Sequence, residues 1–558
     1  MLVRALALSI LLLAACGQAD RASGEAGLIR ADRVFTGGTI YTGEGLTTVE
    51  AVAVADGRIV HVGALDALSP DIETIDLGEA VMFPGFTDSH VHVMGVGERE
   101  RSLNLEGVAS IAELKARVAE AAAVQSVGAI TGRGWIETHW PEARFPSAAD
   151  LDAVVEGRPV ILVRADGHAL VANSAALEAV GYDAMTPDPD GGAILKGDDG
   201  APNGMIIDTA MAPFAVLAGE PQDEERAELY QLGAEMLAAS GWTGVHTMSM
   251  PFADAAILHQ LADEGRLPIR IYTAANPEDY AAAARAAEAG AASDSLVINR
   301  SVKLYVDGAL GSRGAALLAP YQDAPSASGL LLLQEEAALA IMEEALRDGV
   351  QLAIHAIGDM GNRLVLDWME TAFERVPVEA RAMAEPRWRI EHAQIVNPVD
   401  LPRFAELGVI ASMQPSHAIG DLHFAPSRLG LQRLEGAYAW RDLLDSGAII
   451  AGGSDAPVER GEARIEFYAA TVRRDLNGFA GEGWNLDQAV SRQEALDMFT
   501  TAPAYASFRE AELGRIAPGM LADFSVFDTD LMTAPDDALR DARPVMTVVA
   551  GNIAWRAN

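Results

Sequence analysis

The sequence predicts an α/β protein: a closed (β/α)8 TIM barrel, a small β-sandwich domain built from both termini, and an insertion after the first barrel strand. Two observations carry this. The middle of the chain shows eight apolar runs of strand length, most followed by an amphipathic helical stretch. Both ends read instead as short alternating runs separated by turn residues. The chain has 558 residues, half of them apolar, which exceeds one ordinary core and allows several. Its 41 basic and 80 acidic residues give a formal net charge of -39. Such a surface repels nucleic acid and anionic membranes, so no nucleic-acid partner is expected.

From the N-terminus, MLVRALALSILLLAACGQ carries one early arginine and an apolar run too short for a membrane span, the pattern of a secretory signal. Leu13-Ala14-Ala15-Cys16 resembles the bacterial lipobox, in which a peptidase cuts before a lipid-modified cysteine. Cys16 is the only cysteine, so an internal disulfide is excluded and lipidation gives it a purpose. The expectation is a lipoprotein signal over 1–16 and a tether over 17–27. The mature protein is then exported, in the periplasm or on the periplasmic side of the outer membrane, with a lipid anchor through Cys16.

Residues 28–83 alternate in RVFTGGTIYTG and AVAVADGRIVHVG, where Asp56-Gly57 signals a hairpin. ADFSVFD and PVMTVVAGNIAWR in 508–558 read alike, and the two pieces are expected to pack as one β-sandwich. Between them, 84–507 holds the barrel runs GFTDSHVHV, GWTGVHTM, PIRIYTA, SVKLYVDG, QLAIHAIGD, RWRIEHAQ, GVIASMQP and AIIAGGSDAPV. The insertion, at about 100–235, contains helical SIAELKARVAEAAAV, aromatic GRGWIETHW and strand-like RPVILVRADG, and is expected to cover part of the barrel mouth.

The chemistry gathers where barrel enzymes place it, at the C-terminal strand ends. His90 and His92 lie two apart on the first strand, so both imidazoles project to one side. His355 ends the fifth run, His392 the sixth, and Asp455 follows the eighth. Lys303, one of three lysines in the chain, sits inside an apolar strand. Alternation sends Val302 and Leu304 to one side and Lys303, Tyr305 and Asp307 to the other. A buried ammonium is costly unless paired or altered. Two readings stand: an ion pair with an acid such as Asp307, or reaction with carbon dioxide to a metal-bridging carbamate. Around His392 the alternation turns Arg389 and Glu391 toward the helices.

PGFTDSHVHV after the N-terminal β piece, the fourth-strand lysine, HAIGD, IEHAQ, GSDAPVE and the closing GRIAPGMLADFSVFD together resemble the amidohydrolase superfamily, in the branch of N-substituted formamide deformylase. The resemblance covers nearly all of the chain beyond the tether. It implies a metal-dependent hydrolase acting on a small-molecule substrate, with ligands His90, His92, Lys303, His355, His392 and Asp455. One or two divalent metal ions are expected, zinc foremost. His90, His92 and Asp455 would hold one ion and His355 and His392 the other, with carbamylated Lys303 between them. Asp455 is the expected general base in hydrolysis of an amide, formamide or cyclic amide. A lactonase or esterase on the same centre, and a solute-binding lipoprotein, are the alternatives.

Arg313 in DGALGSRGA, His417 in QPSHA, Trp135 and His168 are the expected substrate-binding residues. Ile136 stands where relatives often carry an acid. His61, His246 and His259 read as packing. No phosphate-binding glycine loop and no GxSxG nucleophile elbow is present. Self-association into a homo-oligomer is left open.

Overall fold

A computed structural model describes residues 28–557 apart from 139, 190, 220 and 293. The expected signal, the expected tether and Cys16, the expected lipidation site, therefore lie outside the described residues. The eight barrel runs form eight parallel strands: β1 (Phe86–Val91), β2 (Trp242–Met250), β3 (Arg270–Ala275), β4 (Val297–Tyr305), β5 (Gln351–Ala356), β6 (Arg389–His392), β7 (Ile410–Met413) and β8 (Ile450–Gly452). Each strand pairs parallel with the next in sequence, β1 and β2 doing so across the long insertion. The seam between β8 and β1 is drawn together by Asp455 N–H donating to His90 O at 2.6 Å. Buried Asp88 stitches the same seam, accepting from Ser454 N–H at 2.9 Å and from the Ser454 hydroxyl at 2.5 Å. Outward-facing Val302, Leu304, Ile354 and Ile390 pack into the core beneath the surrounding helices.

The terminal pieces do join, but as one eight-stranded sheet where a sandwich of two sheets was expected. Val81–Pro84 and Phe524–Phe527 pair antiparallel at the point where the two ends of the chain meet. Asp56 and Gly57 take left-handed φ of 50° and 73°, turning the chain between paired Ala55 and Arg58. Phe35 and Phe524 sit two strands apart yet bring their ring centroids to 5.3 Å, so the sheet curls around its own apolar face. That curl supplies the second layer a flat sheet would need. Its other face meets the barrel through Phe83, Phe86 and Phe527, and through Arg270 donating to both oxygens of Asp523 at 2.6 and 3.0 Å.

The insertion builds a six-stranded sheet running from Leu103–Asn104 to Pro202–Asp208, backed by the expected helix, Ile111–Val124. Trp135, Trp140, Leu151 and Leu162 form its apolar core. Among the described residues no helix is long and apolar enough to cross a membrane.

Candidate metal centre

Four imidazoles, one carboxylate and one amine converge at the C-terminal ends of β1, β4, β5, β6 and β8. His92 Nε2 lies 3.2 Å, and His90 Nε2 3.5 Å, from Asp455 Oδ1. The His392 ring stands between those of His90 and His355, with centroids at 4.7 and 4.5 Å. One ligand atom each of His90, His392 and Asp455 fits within 4.8 Å. Lys303, buried like its neighbours, brings Nζ to 3.4 Å from His90 Nε2. Asp307 is not its partner: that carboxylate accepts from Ala316, Ile357 and Gly358 N–H at 2.8 to 2.9 Å, stapling the loops after β4 and β5.

The hydrogen bonds fix which nitrogen of each ring is free. His90 Nδ1 is tied to Glu391 at 2.5 Å, His92 Nδ1 to Met248 O at 3.2 Å and His392 Nδ1 to Gln414 Oε1 at 2.8 Å. Each Nε2 is left with its lone pair facing the centre, the tautomer a metal needs. His355 Nε2 and Asp455 Oδ1 are buried without any hydrogen-bond partner, an arrangement that apo chemistry disfavours and a cation would satisfy. Burial, and then the Lys303 ammonium, push the His90 imidazole down to about 4. Burial likewise holds His355 and His392 well below the usual imidazole value. Burial would raise Asp455, but the surrounding imidazoles outweigh it and keep the carboxyl ionised. Burial lowers Lys303 to about 8. Neutral imidazoles beside an ionised carboxylate are a donor set that fits a divalent cation.

Backbone strain sits at the same place. His392 and Asp455 adopt φ of 74° and 59°, in the region non-glycine residues avoid. Above the centre opens a cavity of about 330 Å³. The insertion supplies Arg133, Ile136 and His168 to its wall, and the barrel loops supply Leu310, His417 and Val458.

Residues 73–554 match the sequence pattern of the amidohydrolase family. This chain belongs to that family. The Bacillus subtilis (strain 168) protein YtcJ is 32% identical over 535 residues, covering 94% of this chain and 99% of its own. N-substituted formamide deformylase of Arthrobacter pascens is 28% identical over 530 residues, covering 91% and 95%. Among solved structures, that of an uncharacterized metal-dependent hydrolase from Pyrococcus horikoshii OT3 superposes with a TM-score of 0.72 at 28% identity, covering 90% of this chain and 99% of that one. The chain is accordingly a metal-dependent hydrolase.

Of the substrate residues expected in this amidohydrolase, two face the cavity and two do not. His417 Nδ1 accepts from Gln394 Nε2 at 2.9 Å, which leaves Nε2–H free, 3.6 Å from Asp455 Oδ2. His168 has its centroid 5.4 Å from that of His355 and pairs with Asp208 at 2.7 Å, which outweighs burial and raises its pKa. Arg313 points away, ion-paired with Asp323 at 2.9 Å at the surface. The glycines of its loop matter more: a Cβ on Gly308 or Gly314 would stand 2.8 Å from the Asp208 carboxylate that holds His168. Trp135 is fully buried in the insertion, its Nε1 donating to Leu162 O at 2.8 Å, so it packs and does not line the cavity.

Three groups escaped the sequence reading. Arg389 and Glu391 were expected toward the helices but point into the barrel, beneath the ligands. The left-handed turn at His392 resets the alternation, so adjacent Glu391 and His392 both reach inward. His246, expected as packing, accepts from Arg389 Nη1 at 2.7 Å in that polar layer.

Proposed function

We propose that this amidohydrolase cleaves a non-peptide carbon–nitrogen bond in a small amide, formamide or cyclic amide. The observation that carries the reading is the unpartnered Asp455 Oδ1, buried within 3.5 Å of two imidazole nitrogens whose lone pairs face it. His90, His92 and Asp455 would hold one divalent cation and His355 and His392 a second, with zinc favoured by nitrogen and oxygen donors. Bound there, the cation acidifies water and polarises the scissile carbonyl. The side chains do the rest. Asp455 takes the proton of the attacking water on Oδ2, the oxygen on the His417 side, and passes it to the leaving nitrogen. His417 donates its free Nε2–H toward the carbonyl oxygen, where charge develops. Lys303 first gives up one proton to become the neutral amine, then bonds carbon dioxide through its nitrogen and releases a second proton to solvent, and so exchanges an unpaired buried ammonium for an anionic ligand. Similarity to a formamide deformylase along nearly the whole chain supports a carbon–nitrogen target.

Metal analysis of the purified protein, followed by turnover on matched formamides, cyclic amides and lactones, tests the reading. Bound metal and faster turnover of the carbon–nitrogen members are expected. A metal-loaded protein that prefers the lactones would overturn the bond assignment, and a metal-free, inactive one the whole proposal.

A further inference from the structure

We infer that the substrate carries a carboxylate and that Arg133 receives it; the inference rests on the carbon–nitrogen reading and narrows its substrate class. Arg133 lies on the insertion strand Ile130–Trp135 and borders the cavity above the metal ligands, as do His168, His355 and Asp455. Its guanidinium rests against Gly167, where a Cβ would meet Nη2 at 3.1 Å, so the glycine at that position makes room for it. A guanidinium offers five N–H donors. Arg133 uses one, in a long 3.4 Å contact from Nη2 to Ala165 O, while Nε is buried with no partner.

The other arginines on this cavity wall are matched. Arg164 is paired by Glu137 at 2.8 Å and by Asp166. Arg99 reaches Glu100 at 3.3 Å and Glu459 O at 3.0 Å. Arg460 reaches Glu106 at 3.5 Å and Glu462 at 2.9 Å. Among the described residues no carboxylate pairs with Arg133. The acids that act on it from farther away are Asp455, Asp166 and Glu98. Asp455 is committed to the imidazoles and Asp166 to Arg164, and Glu98 acts on the guanidinium without forming an ion pair with it. His168, also on the wall, is already matched by Asp208 at 2.7 Å.

A desolvated cation with unused donors is costly until an anion arrives. A carboxylate meets the guanidinium fork with two parallel hydrogen bonds, a geometry neither a neutral amide nor an alcohol offers. Apolar Ile136, Leu310 and Val458 leave room for a short hydrocarbon body between that anchor and the metal ligands. The class that fits is an N-acyl or N-formyl amino acid, or a ureido acid, with its amide carbonyl over the centre.

The test compares N-formylalanine with N-formylalaninamide, two substrates of one shape that differ in charge. The wild-type protein should favour the acid in kcat/KM, and Arg133→Gln should lower the acid-to-amide ratio roughly 10- to 100-fold. Arg133→Lys, which keeps the charge but not the fork, should recover part of it. Calorimetric binding of 3-methylbutanoate, which has no bond to cleave, gives a readout independent of turnover and should weaken by a similar factor in Arg133→Gln. Equal loss on both substrates, or unchanged binding of 3-methylbutanoate, would overturn the inference. Arg133-dependent binding without turnover of either formamide would keep the anion site and sink the carbon–nitrogen reading.

Discussion

His90 Nδ1 stands 2.5 Å from Glu391 Oε2, and Arg389 grips that carboxylate from the other side, Nε at 2.7 Å on Oε1 and Nη2 at 2.9 Å on Oε2. The guanidinium also holds Ser89 O at 2.6 Å and Ser412 Oγ at 2.7 Å. This layer sets the His90 tautomer and aims Nε2 at the centre. Outer partners of this kind are typically worth about 10- to 100-fold in metal affinity. Glu391→Gln should therefore weaken metal binding by roughly that factor in a competitive chelator titration. It also strips Arg389 of its counter-charge, at a cost of about 3–5 kcal/mol in urea unfolding of the metal-free protein. Wild-type affinity in the variant would mean that His90 needs no carboxylate to orient it.

The centre was legible in the sequence where local rules govern, and hidden where they do not. Lys303 and His355 alternate with apolar residues on regular strands, so their direction follows from the pleat alone. Glu391 did not follow, because one left-handed residue beside it resets the alternation. Its partner His90 is 301 residues away, so no window of sequence displays the pair. The insertion is harder still. Trp135 and Arg133 sit two apart on the same strand, where strict alternation would turn them to one face, yet the register slips between them at Gly134, φ 108°, so one fills a core and the other faces the cavity. At the termini the alternation was plain, but whether one sheet curls or two sheets stack depends on pairing between ends more than 400 residues apart.

Glu466 gives the fold a measurable pH dependence. Its side chain is fully buried, with Oε2 accepting from Ser416 N–H at 3.0 Å and Oε1 left without a partner. Burial pushes its carboxyl up from 4.5 to about 8. Between those values the folded protein holds a proton that the unfolded chain has released. Stability from this group is therefore greatest below about 4.5 and declines as pH rises toward 8. Its full loss above that is of the order of a few kcal/mol. Glu466→Gln keeps the shape and removes the titration. Urea midpoints at pH 5, 7 and 9 should fall more steeply for the wild-type protein than for the variant, which becomes the more stable of the two at the highest pH. Parallel curves would show that the carboxylate is hydrated in solution.

Lys303 separates a carbamate bridge from a lysine that merely fills space. Its Nζ is buried beside the His90 imidazole, and within the described residues no carboxylate is paired with it, so the ammonium form is held by little except the Tyr305 ring, 4.8 Å away. If the carbamate is the resting form, Lys303→Ala removes a ligand, and activity should fall further than the roughly 10- to 100-fold that loss of an outer partner costs. The alanine leaves a space into which a short carboxylic acid can place two oxygens. Formate or propionate should therefore restore part of the activity and of the metal content, with saturation as the site fills. A cation–π or packing role predicts the reverse: the carboxylate has nothing to replace, so added acid changes neither quantity. Labelled bicarbonate supplies a readout free of activity, because a carbamate on Lys303 should give a carbon signal in the metal-loaded wild-type protein that Lys303→Ala lacks. A fully active alanine variant, or a signal present in both proteins, would remove Lys303 from the centre and leave His90, His92, His355, His392 and Asp455 to hold the metal without it.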